Sequence, residues 1–194
     1  MRWRLWWCAS IATLIATALL VPVAARSDTG PSRPAPQIFA AGLISAGAND
    51  GAPTFSPDGR TLYFERTNSK WSAILESHLT RGQWTKRVLA AFSGATSDQQ
   101  PSFSPDGRYL IFVSSRPSPS SAGEEPKFAN HLYGVDRTAL GWSAAIELPA
   151  EVNISARVFK PSIAANGDLY FMSDVGPGGP PQWRLFRARH SGGG

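Results

Sequence analysis

Disulfide chemistry is all but absent from this sequence, whose 194 residues include one cysteine, Cys8, near the start. Whatever the remainder folds into is held by its core and not by cross-links. Histidine is scarce too, and none of His78, His131 and His190 lies three or four residues from another histidine or from the cysteine. That spacing excludes a zinc site of the local Cys/His type. Two catalytic loops are missing as well, the G-x-x-x-x-G-K-[ST] phosphate loop and the G-x-S-x-G nucleophile elbow. Outside the first 25 residues the chain carries no helical stripe of apolar positions. Nor does it carry a basic patch: lysine and arginine are scattered apart from Arg184, Arg187 and Arg189, which argues against a nucleic-acid partner.

The first 25 residues are a different kind of sequence. Arg2 and Arg4 precede an apolar run from Leu5 to Ala25, and Val23-Ala24-Ala25 offers the small residues of a cleavage site before Arg26. Residues 1–25 therefore read as a signal peptide, with Pro22 breaking the helix near its end. The alternative is an uncleaved inner-membrane anchor, since about 20 apolar residues also span a bilayer. Cys8 precedes the apolar stretch, which argues against lipidation. Removal of the leader takes Arg2 and Arg4 and no acid, so 19 basic and 14 acidic residues become 17 and 14, a net +3. The expected location is a bacterial periplasm or the exterior, with no stable membrane insertion after cleavage. Residues 26–36, rich in Pro, Ser and Gly, read as a linker.

From residue 37 the chain repeats itself. "NDGAPTFSPDGRTLYFERT" (49–67) aligns without gaps on "SDQQPSFSPDGRYLIFVSS" (97–115), and "RVFKPSIAANGDLYFMSD" (157–174) follows as a degenerate third copy. In each, a strand ending at Phe55, Phe103 or Ile163 meets a Gly-containing turn and then an aromatic, β-branched run such as Leu62-Tyr63-Phe64. The motif phenylalanine reads as a core residue. A third strand is expected near 73–79, 131–136 and 183–188, and Trp84 and Trp142 open a fourth at 82–92 and 141–150. Four antiparallel strands in a repeat of this length predict a β-propeller blade.

The Pro-x-Phe-Ser-Pro-Asp-Gly-x-x-Leu-x-Phe pattern at Pro53–Phe64 and Pro101–Phe112 resembles the WD40-like β-propeller repeats of TolB-like periplasmic proteins. The resemblance covers about residues 37–190 and implies an all-β fold with blades at about 50–92, 98–150 and 157–190. It also implies a "velcro" closure, in which residues 37–45 add a fourth, outer strand to the last blade. TolB-like propellers resemble six-bladed ones, so three blades' worth of strands leaves two readings. Two chains form one six-bladed ring, or the chain is a shortened version of a longer protein, which its Ser-Gly-Gly-Gly ending favours.

The repeated Ser-Pro-Asp-Gly reads as turn chemistry: Pro fixes φ and Gly takes the left-handed conformation. Asn166-Gly167 replaces Asp-Gly in the third copy, so the position requires a turn and not a metal-binding carboxylate, and no cofactor is expected. Recognition is expected on the connections between second and third strands, where "RPSPSSAGEEPKF" (116–128) and "DVGPGGPPQ" (174–182) are inserted. Trp71, Arg116, Glu124, Glu125 and Lys127 are the candidate binding residues on that face. The expected function is a non-enzymatic binding scaffold for a protein or cell-envelope component. The alternative is a propeller hydrolase or lyase acting on glycan, lactone or peptide at the central channel.

Overall fold

Alternating apolar and polar residues bounded by Gly, Pro and Asp favour strands over helices, and every regular element among the described residues is a strand. The computed structural model describes residues 35–119, 129–175 and 182–190. The leader, the acidic part of the 116–128 insertion and most of the 174–182 insertion lie outside them. From Gln37 onward the chain forms one compact unit.

Three antiparallel sheets follow one another along the chain. The first holds β1 (Asn49–Phe55), β2 (Thr61–Thr67), β3 (Ser72–Thr80), β4 (Gln83–Trp84) and β5 (Val88–Leu89). The second holds β6 (Asp98–Phe103), β7 (Tyr109–Ser114), β8 (His131–Thr138), β9 (Gly141–Trp142) and β10 (Ile146–Glu147). The third holds β11 (Val158–Ile163), β12 (Leu169–Ser173) and β13 (Arg184–Ala188). The first strands lie side by side, β6 between β1 and β11, as the inner strands of adjacent propeller blades do. The fold is all-β and the arrangement is a partial β-propeller.

Blade contacts follow from the two faces of each second strand. Tyr63 of β2 points into a core with Leu110 and Phe112 of β7, while Ile111 and Val113 of β7 point the other way onto Leu169 and Phe171 of β12. One alternating strand thus fills two interfaces. Truncating a buried ring such as Phe112 to alanine removes about 3–5 kcal/mol.

The first strands share a defect. Each register slips between Gly51 and Thr54, Gln99 and Ser102, or Phe159 and Ser162, and the bulged residues Ala52, Gln100 and Lys160 have φ of 44°, 53° and 56°. A bulge turns backbone N–H groups away from the ladder, and the neighbouring blade receives them. The Gln100 N–H donates to Glu65 Oε2 at 2.9 Å, and the Lys160 N–H donates to Gln100 Oε1 at 2.7 Å.

Several expectations change. Residues 37–45 form no outer strand: a turn closes from the Ile44 N–H to the Ala40 carbonyl at 2.9 Å, and the positive φ of Ala40 and Gly42 breaks the extended run. Arg66 donates to the Ile44 carbonyl, and Arg116 donates to that of Phe92, which stands 48 residues after Ile44. The fourth strand is split in both complete blades. Thr85 donates its N–H to the His78 carbonyl and accepts the His78 N–H on its hydroxyl, which displaces the ladder between β4 and β5. Among the described residues the third blade shows three strands. Phe103 is core at 9% exposure, but Phe55 is 44% exposed: among the described residues no strand packs ahead of β1 as β1 does ahead of β6, and the ring contacts of Phe55 are with Phe39 and Trp84.

Candidate binding surface

In an antiparallel meander the turns between strands one and two emerge at one end of every blade, and the connections between strands two and three at the other. The first end is built for rigidity. Ser56 Oγ donates to Asp58 Oδ1 at 2.5 Å, and the same oxygen accepts the Arg60 N–H at 3.0 Å. Ser104, Asp106 and Arg108 repeat the pattern, at 2.8 and 3.0 Å. In the third blade Asn166 Oδ1 accepts the Asp168 N–H at 3.1 Å, so an amide oxygen does what the carboxylates do elsewhere. Gly59, Gly107 and Gly167 all have the positive φ such a turn requires.

These turn carboxylates are held ionised. The Ser56 hydroxyl and then the Arg60 N–H lower the Asp58 pKa, while the Arg108 N–H and guanidinium hold Asp106 well below the usual carboxylate range. Asp168 is lowered by the His190 N–H and, against some desolvation, by Arg187, whose Nη2 lies 2.7 Å away. A groove of about 390 Å³ runs between the second and third blades at this end, with Tyr109, Leu169, Gly167 and His190 in its walls. Asp136 and Glu147 are the acids of its lining, and Glu147 faces His131 at 2.8 Å and accepts from Ser118 at 2.7 Å.

The opposite end varies from blade to blade. Its connections span residues 68–71, 115–130 and 174–183. Trp71 is exposed and anchored from below, since Asn68 Oδ1 accepts the N–H groups of Lys70 and Trp71 at 2.8 and 2.9 Å. An exposed indole on a fixed backbone loses little entropy on binding. In the third blade the Arg157 guanidinium lies 4.8 Å from the Trp183 ring centroid and pairs with Asp174 at 3.3 Å.

Arg116 stands apart from the other candidates. Its side chain turns inward, donating from Nη1 to Asp98 Oδ1 at 2.8 Å and from Nη2 to the Phe92 carbonyl at 2.6 Å. The guanidinium also lies over Phe112 and Tyr133, so it joins two blades and not a ligand. Glu124, Glu125 and Lys127 lie outside the described residues. The root of their loop is pinned to the sheet by Ser118 and His131, both on the Glu147 carboxylate, at 2.7 and 2.8 Å. Sequence reasoning missed Arg157. Its signal was available, because it opens the third copy immediately ahead of the inner strand. Among the described residues no three His, Cys, Asp or Glu side chains gather as a metal ion requires.

No family model matches the sequence, and no curated protein matches it. Solved structures do match. The crystal structure of TolB from Acinetobacter baumannii superposes with a TM-score of 0.51 at 20% identity, over 78% of this chain and 32% of that one. A structure described as TolB from Agrobacterium tumefaciens aligns at 20% identity over 54% of this chain and 35% of that one, with a TM-score of 0.36, too low to carry an argument. The chain spans about a third of the TolB length it matches. The fold is thus that of a TolB-like β-propeller, present in part.

Proposed function

We propose that this chain is an exported, non-enzymatic β-propeller scaffold that binds a protein or envelope component through the end bearing the strand two to strand three connections. One observation carries the reading: the turns at one end repeat the same hydrogen bonds in every blade, while the other end varies and displays Trp71 and the Arg157–Trp183 pair. Loops that vary on a constant frame are where propellers acquire partners. The apolar leader and the disulfide-free chain support a periplasmic location. The likeness to TolB supports the scaffold class, at a distance that transfers no partner site.

Site-specific photo-crosslinking in the producing cell tests this. A crosslinker at position 71 is expected to capture a discrete envelope protein, and one at Arg60 on the opposite end is expected to capture none. Arg157→Ala should weaken the adduct at position 71. Equal capture from both ends, or turnover of glycan, lactone or peptide by the purified chain, overturns the proposal.

A further inference from the structure

Among the described residues, the outer face of the first blade and that of the third each repeat half of a contact that the chain already makes. Between the first and second blades, Tyr63 packs on Phe103 and Trp142 with ring centroids 5.8 and 6.0 Å apart, and Trp142 Nε1 donates to the Tyr63 hydroxyl at 2.9 Å. By strand register, the residues of the first blade equivalent to Phe103 and Trp142 are Phe55 and Trp84. That pair is already formed: Phe55 and Trp84 lie 5.9 Å apart at 62°, and Phe103 and Trp142 lie 5.7 Å apart at 61°.

The other half stands on the third blade. Tyr170 lies opposite Ser162 as Tyr63 lies opposite Thr54, so it holds the Tyr63 position, which the second blade fills with Ile111. Leu185 holds the position of Ile74 and Leu132, both wholly buried against the next blade, yet it is 76% exposed. Met172 differs, standing where Glu65 accepts the Gln100 N–H.

We infer that a second copy of this chain sets the Phe55–Trp84 edge of its first blade against Tyr170 and Leu185 of the third, so that two chains close one six-bladed ring. The contact is head-to-tail, and two of them are made per ring. Six lies within the blade numbers at which propellers close. In the single chain Phe39 packs edge-on against both Phe55 and Trp84, at 6.3 and 5.6 Å, where the docked Tyr170 would lie. Phe39 is therefore a competitor that ring closure displaces.

Light scattering and sedimentation on the purified full chain test this. The wild type is expected at twice the chain mass. Leu185→Asp alters a residue that is exposed in the single chain and should weaken association by roughly a hundredfold or more, leaving the unfolding transition of the monomer in place. Trp84→Phe, which removes the indole donor, should weaken it roughly tenfold. Phe39→Ser should strengthen association several-fold, a change that a merely structural role for Phe39 would not produce. Mixing Leu185→Asp with Trp84→Asp should restore pairing that neither variant shows alone, since each keeps the face the other lacks. A wild type at single-chain mass, as when another polypeptide or a longer form of this one supplies the next blade, overturns the inference. So do open-ended masses, a dimer unmoved by Leu185→Asp, or mixtures that fail to pair.

Discussion

Asp98 gathers hydrogen bonds from Ser93, Gly94, Ser114 and Arg116, and its removal tests how the blades are held together. The carboxylate is wholly buried. Oδ1 accepts from Arg116 Nη1 and Ser114 Oγ at 2.8 and 2.7 Å, and Oδ2 accepts from Ser93 Oγ and the Gly94 N–H at 2.9 and 3.1 Å. Ser93 Oγ in turn accepts the Ile74 N–H of the first blade, so the network spans the interface. Asp98→Ala leaves the Arg116 guanidinium, 18% exposed, without its charge partner, together with several unpaired donors. Breaking a buried pair in this way costs about 3–5 kcal/mol. In a domain of this size that is a fall in Tm of roughly 10 °C. Asp50→Ala is the internal comparison, because Arg66 and Asp50 are more exposed and Arg66 keeps its bond to the Ile44 carbonyl at 3.0 Å. Its expected cost is about 1–2 kcal/mol. Urea unfolding followed by tryptophan fluorescence measures both at constant m-value. Asp98→Ala combined with Arg116→Met should recover part of the loss, since no buried charge remains unpaired. A cost near 1 kcal/mol for Asp98→Ala, or equal costs at the two positions, refutes the reasoning.

Gly167→Ala should cost more than Gly59→Ala. Both replace a glycine at positive φ, but only the first sets its Cβ 2.9 Å from the His190 ring, so a difference of about 1 kcal/mol is expected by chemical denaturation. Ala52→Gly should stabilise by about 0.5–1 kcal/mol by relieving the left-handed bulge, and a loss of stability would argue against strain there. Burial, reinforced by Glu76, raises the Tyr63 pKa, so the unfolded chain ionises first; stability is full below about pH 10 and falls as pH rises toward the folded value. Tyr63→Phe should flatten that alkaline limb while exposing the Trp142 donor at a cost of about 1 kcal/mol. Asp58, Asp106 and Asp168 have lowered folded values, so the unfolded chain takes up protons first, and the stability they contribute is lost below about pH 4. Asp106→Asn should shrink that acid limb in a pH series of unfolding curves.

The periodicity at Leu62-Tyr63-Phe64 and its copies located the second strand of every blade, because a strand that fills two interfaces must be apolar on both faces. The turns were legible for a similar reason, since φ at Gly59, Gly107 and Gly167 is dictated locally. What the local pattern missed was decided by tertiary context. Residues 37–45 carry an apolar pattern suited to a strand, yet Ala40 and Gly42 turn, and Ile44 is inserted against Leu62 and Phe64. Arg116 sits in a loop of polar residues and reads as surface, because nothing local reveals that a buried carboxylate 18 residues earlier will claim it.

The alignment of the copies carries information that periodicity alone does not. Residues at one repeat position share a backbone environment, so a difference in exposure between them reports a missing neighbour and not a difference in chemistry. Phe55 against Phe103 and Leu185 against Ile74 are such pairs. Each marks an open blade face, and each open face carries the aromatic partner that the other lacks. A stack capped for solubility would place polar residues there. Leucine and phenylalanine stand there instead, and the mass of the purified chain in solution tests whether a second copy covers them.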